Sequence, residues 1–174
     1  MKVVRRVLWL GVLWLAGCAP VLDWREVRSE GGEVTALFPC KAEQHVRSLS
    51  LAGRSVRWVL LACSAGGTTW ALAQADLADP ALVGPALQAL RAAAAGNLGA
   101  EAASRTLTLK VAGATPNPHS ARLEFQGRAP DGRALTGQVA LFAKGTRVFQ
   151  ASALGEALSA ETADTFFDAL RTGP

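Results

Sequence analysis

A chain of 174 residues, half of them apolar and only 18% charged, can fill one sizeable core and carries too little charge for a disordered polymer. Its 18 Lys and Arg outnumber its 14 Asp and Glu, but three of the basic residues, Lys2, Arg5 and Arg6, stand at the extreme N-terminus. Without those three, fifteen basic residues face fourteen acidic ones, which gives no electrostatic case for nucleic acid.

Behind that charge, residues 7–16 form an apolar run that ends in Gly17 and Cys18. Ten residues are too few for a spanning helix, which needs about 20. Charge, apolar core and Leu15-Ala16-Gly17-Cys18 follow one another as in the lipobox of bacterial lipoprotein signal peptides, which this segment resembles. The resemblance implies cleavage after Gly17, a diacylglycerol on Cys18 and a permanent membrane anchor. Ala19, in place of an aspartate, implies sorting to the outer membrane, facing the periplasm. A plain cleaved secretory signal is the nearest rival, and an uncleaved anchor ranks behind it. The expected organisation is a signal peptide over 1–17, a lipidated tether over 18–23 and a single α+β domain over 24–174.

Five residues separate Cys18 from Trp24, so the folded body is expected within about 20 Å of the lipid surface. Weak alternation over 24–29 predicts a first strand, and Gly31-Gly32 turns the chain into a second over 34–38. Pro39 ends that strand by withholding an N–H. Strands over 46–52 and 55–63 flank Gly53-Arg54, which reads as a hairpin turn. In the second of them Val56, Trp58, Leu60 and Ala62 share one face. Gly66-Gly67 leads into a strand over 68–75 that places Trp70 and Leu72 together.

Cys40 and Cys63 each close an apolar run. Once Cys18 carries lipid, they are an even pair in an oxidising compartment. A structural disulfide is the preferred reading. It would close a loop of about 24 residues, worth roughly 3 kcal/mol on the chain-entropy model. Two buried free thiols are the alternative, and a redox pair would want a C-x-x-C motif that is absent.

Asp79-Pro80 marks a helix start. Leu82, Val83, Ala86, Leu87, Leu90 and Ala94 then recur at helical spacing up to Gly96. Pro85 fits only a first turn, which moves the expected start toward Gly84. Four alternating segments follow, over 105–111, 120–126, 134–142 and 147–154, with turns at Asp131-Gly132 and Lys144-Gly145. In the second of these, Ala121, Leu123 and Phe125 point inward, while Arg122, Glu124 and Gln126 face water. A last helix opens at Ser159 and buries Ala163, Phe166, Phe167 and Leu170. Strands, helix, strands, helix without regular β-α alternation means α+β, a largely antiparallel sheet with two packed helices.

With the elements placed, the domain resembles the PsbP/Mog1/DcrB-type α/β/α sandwich of small bacterial envelope proteins. The residues that carry the resemblance are Phe38-Pro39, the strand from Trp70 running to Asp76, and Asp79-Pro80. With them go Arg147-Val148-Phe149-Gln150 and the closing Phe166-Phe167-Asp168-Ala169-Leu170. Trp70 and Phe149 stand where tyrosine is common in that family. The resemblance implies an adaptor or accessory role and transfers no catalytic residue.

The chemical inventory is thin. His45 and His119 have no second ligand at metal-binding spacing. Ser64 lacks a nucleophile elbow, and no phosphate-binding fingerprint occurs, so no cofactor or metal is expected. Glu26, Glu30 and Glu33 read as a solvated edge. Arg47, Arg54 and Arg57 gather around one hairpin and are the candidate contact for an anion or acidic partner; a charged edge that blocks aggregation is the plainer reading. The functional expectation is a membrane-anchored binding or accessory domain with an envelope protein as its unknown partner. Carriage of a small apolar ligand between sheet and helix is the alternative, and an enzyme without a visible motif ranks third.

Overall fold

The computed structural model describes residues 21–97, 105–129, 131–156 and 158–173. Cys18 and the whole lipobox segment lie outside the described residues. Strand β1 (Arg25–Arg28) and β2 (Val34–Phe38) come first, joined by a 3-10 turn over Glu30–Gly32. Strands β3 (Glu43–Leu51), β4 (Arg54–Ala65) and β5 (Thr68–Asp76) follow as a meander, and then helix α1 (Val83–Asn97). Four more strands come next: β6 (Arg105–Leu107), β7 (Ala121–Arg128), β8 (Ala134–Lys144) and β9 (Arg147–Gly155). The chain closes with helix α2 (Ala160–Asp168) and the two-residue strand β10 (Arg171–Thr172).

The fold is α+β with mostly antiparallel sheets and two helices, as the pattern predicts. Seven strands form one sheet in the order β3-β4-β5-β9-β8-β7-β6, and three form another in the order β1-β2-β10. Helix α1 covers one face of the large sheet, and α2 with the small sheet covers the other. Each interface has its own core. Trp58, Leu87, Leu90, Leu123, Phe125 and Leu141 fill the α1 side, while Phe38, Trp70, Phe142, Phe149, Phe166 and Phe167 fill the α2 side.

Both helices start as their residue chemistry dictates. The Asp79 carboxylate accepts from the Ala81 N–H, and Pro80 opens a 3-10 turn that becomes α1 at Val83. Pro85 therefore sits in the first helical turn, where its missing N–H costs nothing. The Ser159 hydroxyl accepts from the Thr162 N–H at the head of α2.

Cys40 and Cys63 are bonded, with Cα atoms 6.0 Å apart, inside the span a disulfide needs. The bridge joins the end of β2 in the small sheet to β4 in the large one.

Several local expectations are corrected. The β3–β4 turn is Ala52-Gly53, not Gly53-Arg54, with φ of 49° and 77°. A two-residue hairpin wants positive φ at both central positions, and this places Arg54 in the ladder opposite Leu51. The β8–β9 turn shifts likewise to Gly145-Thr146, with Lys144 opposite Arg147. The segment expected as a strand over 105–111 pairs only across Arg105–Leu107. Leu109 and Val111 pack against the α2-side core instead, so the chain leaves the sheet and wraps its edge.

Strand β7 departs from its expected polar-out face at one residue, since Gln126 is exposed and Glu124 half-exposed but Arg122 is not. Arg122 is 4% exposed, because α2 lies over that face of the strand. Its Nη2 donates to Asp164 at 2.7 Å, and both Nε and Nη2 donate to the Gln138 side-chain oxygen. The guanidinium also rests 4.4 Å from the centre of the Phe167 ring. A buried charge persists because its donors are met and a π-face lies beneath it.

Candidate functional site

The three arginines singled out from the sequence all lie on the β3–β4 hairpin, but the pleat divides them. Arg47 stands opposite Trp58, and Arg54 opposite Leu51, which puts both on the α1 face. Arg57 stands opposite Ser48 and points to the other face. The hairpin thus touches two different hollows, with the free side of β3 as a third surface between them.

On the α1 face lies a groove of about 410 Å³. Its origin is a mismatch of sizes. A helix of 15 residues is about 22 Å long and about 10 Å wide, whereas seven strands spread over about 29 Å. Helix α1 therefore leaves part of the sheet without a cover. The floor there is made of small residues, Ala62, Ala71 and Ala73, with Trp58 and Leu60 beside them and Ala89 and Ala93 on the helix wall. Gln150 and Ser152 place two polar groups among them, and Arg47 stands at the rim. Such a surface receives an apolar group with one or two anchoring hydrogen bonds.

The hollow on the opposite face is polar and holds about 270 Å³. Arg57 donates in a fork to both carboxylate oxygens of Glu30, at 2.7 and 3.0 Å. That fork holds the Glu30 carboxyl below its ordinary range. Gln44 reaches the same carboxylate, and the Gln74 amide donates to the Glu30 carbonyl at 2.9 Å. Arg147 pairs with Glu33 at 2.5 Å and with Asp76 at 3.3 Å. Arg57 is therefore engaged within the fold. Glu30 and Glu33 are partners in these pairs, and Glu26 binds Arg171 at 2.5 Å. The expected solvated edge is a set of exposed ion pairs, whose attraction water and salt largely screen.

Asp76 accepts from the Ala78 N–H, the Thr146 hydroxyl and Arg147, which together pull its carboxyl below the ordinary value of 3.8. A carboxyl more acidic in the folded than in the unfolded chain stabilises the fold above its unfolded pKa. That contribution is lost as pH falls from about 3.8 through the folded value. Asp76→Asn should therefore flatten the fall in melting temperature below pH 4 in a thermal series. An unchanged acid limb would show that the turn contributes nothing.

The free side of β3 is the third surface. All nine residues of the strand pair with β4, without a bulge, and eight of them from Glu43 to Ser50 are exposed or half-exposed. Val46 is 48% exposed. Proline, bulges, very short length or charged side chains usually blunt such an edge; β3 has none of the first three and carries two charges, Glu43 and Arg47. The opposite edge, β6, is only three residues long.

The remaining sequence candidates do not converge. His45 lies on β3, while His119 packs over Gly84 at the start of α1, with its ring 3.2 Å from the Gln88 amide. The Ser64 hydroxyl lies 3.1 Å from that of Thr69. Among the described residues no three His, Cys, Asp or Glu side chains gather closely enough to hold a metal, and no helix is long and apolar enough to cross a membrane. Sequence reasoning missed Arg122 and the groove. The first looks like any polar strand residue, and the second depends on how far α1 reaches.

No family model matches this chain, and no curated protein matches it. A crystal structure from Bacteroides thetaiotaomicron VPI-5482 is similar over 86% of this chain and 48% of that one, at 10% identity and a TM-score of 0.48. This chain spans about half the length of that structure.

Proposed function

We propose that this chain is a lipid-anchored binding or accessory domain of the bacterial envelope, tethered through Cys18 to the outer membrane on its periplasmic side. Its partner is an envelope protein that meets the free edge of β3. The lipobox motif supports the anchor, and the uninterrupted nine-residue edge of β3, free of proline and bulges, is the observation that carries the binding role. A domain held by a short tether sees a high local concentration of partners on the same surface, so modest affinity is enough. Arg47 and Arg54 flank that edge, whereas Arg57 is occupied by Glu30. The PsbP/Mog1/DcrB-type resemblance agrees with an accessory role.

The groove under α1 favours a second reading, carriage of a small apolar ligand on the Ala62, Ala71 and Ala73 floor.

One set of experiments tests both. Mass spectrometry of the native N-terminus should find Cys18 as the first residue, carrying acyl chains. Val46→Pro should abolish capture of the partner from detergent-solubilised envelopes, while moving the melting temperature by only a few degrees. In a two-residue hairpin the pair flanking the turn exchanges its hydrogen bonds, so Leu51, Leu49 and Arg47 bond to β4 and Val46 turns its N–H outward. Proline there removes no bond of the existing ladder. Capture that survives Val46→Pro sinks the edge reading, and an apolar compound in organic extracts of the purified chain would favour the groove instead.

A further inference from the structure

From the charge pattern of β3 we infer that the strand that fits this edge is the β3 of a second copy, paired antiparallel about His45. This rests on the edge-binding reading above and names the partner it leaves open. The outward-facing backbone groups belong to the even-numbered residues, because the odd-numbered ones bond to β4 from the Leu51–Arg54 closure onward. A two-fold axis can therefore pass through an odd-numbered residue, which meets its own copy as a non-hydrogen-bonded pair with side chains close together.

An axis through an even-numbered residue, which meets its copy as a hydrogen-bonded pair, is equally open, and the choice among axes is made by charge. With His45 at the axis, Glu43 of each copy stands opposite Arg47 of the other, on one face of the joined sheet. Two equivalent ion pairs form, and His45 meets its own copy at the axis. Gln44 and Val46 then stand opposite each other and exchange about four backbone hydrogen bonds across the axis. Shifting the axis to Val46 would set His45 against Arg47 and leave Glu43 opposite Leu49. Opposite charges directly across an antiparallel pair stabilise it and like charges oppose it, so the strand's own sequence selects the register. Pairing also removes the edge hazard, because the two seven-stranded sheets become one continuous sheet and Val46 is covered.

The test is charge exchange in the full mature chain, purified in detergent, with protein mass read by light scattering after subtraction of the micelle. The wild type should be a dimer. Glu43→Arg and Arg47→Glu should each raise the dimer dissociation constant about tenfold or more, since each removes two ion pairs and adds two like-charge contacts. The two variants mixed in equal amounts should dimerise again, because one supplies only positive and the other only negative side chains at these positions. The double variant should dimerise for the same reason. Far-ultraviolet circular dichroism spectra of the single variants at 25 °C should match the wild type, which separates lost pairing from lost folding; their melting temperatures should fall only by what the lost dimer contributes. A wild type that stays monomeric overturns the inference, as does a mixture that fails to recover the dimer. If the wild type is monomeric while Val46→Pro still abolishes capture from envelopes, self-pairing falls and the edge-binding reading stands.

Discussion

Phe166→Ala should lower the unfolding free energy by about 3–5 kcal/mol, the largest loss expected from any single side chain on the α2 face. Phe166 has no exposed surface, and it joins three elements at once. Its ring centre lies 5.4 Å from that of Phe38 in the small sheet and 5.2 Å from that of Trp70 in the large one. A third edge-on contact, at 5.1 Å, is with Phe167 in α2 itself. Alanine would leave a void in a layer where each neighbour is fixed by another ring, so little collapse can fill it. Helix α2 has only nine residues and cannot persist without its packed face. Urea denaturation followed by tryptophan fluorescence would measure the loss. A change under about 1 kcal/mol would mean that α2 is not the clamp the ring geometry implies.

Removal of the Cys40–Cys63 bridge comes next, with an expected loss of about 2–4 kcal/mol in the Cys40→Ala, Cys63→Ala double variant. The two cysteines lie 23 positions apart and join the end of β2 to β4. The bridge shortens the unfolded chain's reach and also pins the small sheet to the large one. The fold should survive at 25 °C, because the α1-side core does not touch the bridge and the α2-side core meets Cys40 and Cys63 only among its partly buried members. Far-ultraviolet circular dichroism of the double variant should match the wild type, with the denaturation midpoint lowered. Complete unfolding without the bridge would show that the two sheets have too little surface in common to hold together.

Much of this architecture is written locally. Turn glycines at their starts, with Pro39 ending the first and Trp70 and Leu72 sharing a face in the second, are enough to place β2 and β5. The i, i+3, i+7 spacing of Leu87, Leu90 and Ala94 orients α1, and Ser159 with Phe166 and Phe167 does the same for α2. The pairing of Cys40 with Cys63 follows from simple parity once Cys18 is assigned to lipid.

Other features arise only when distant segments meet. Arg122 sits in a strand whose alternation reads as polar-out, and it is buried because α2, some 40 residues later, lies over it and brings Asp164 and Asp168. The small sheet includes β10, two residues that carry no strand signal and pair with β2 from more than 130 positions away. The placement of Ala52-Gly53 turned on an alanine in the left-handed region, which residue preference disfavours and ladder register imposes. Arg47 and Arg57 look like one basic cluster along the chain, yet a period of two sends them to opposite faces. The groove exists because one helix is narrower than seven strands, and the free edge exists because nothing in the described chain pairs beyond β3. Local residue pattern therefore determined the elements and the disulfide. Which surfaces stayed open was decided by tertiary packing, since exposure depends on what the rest of the chain covers.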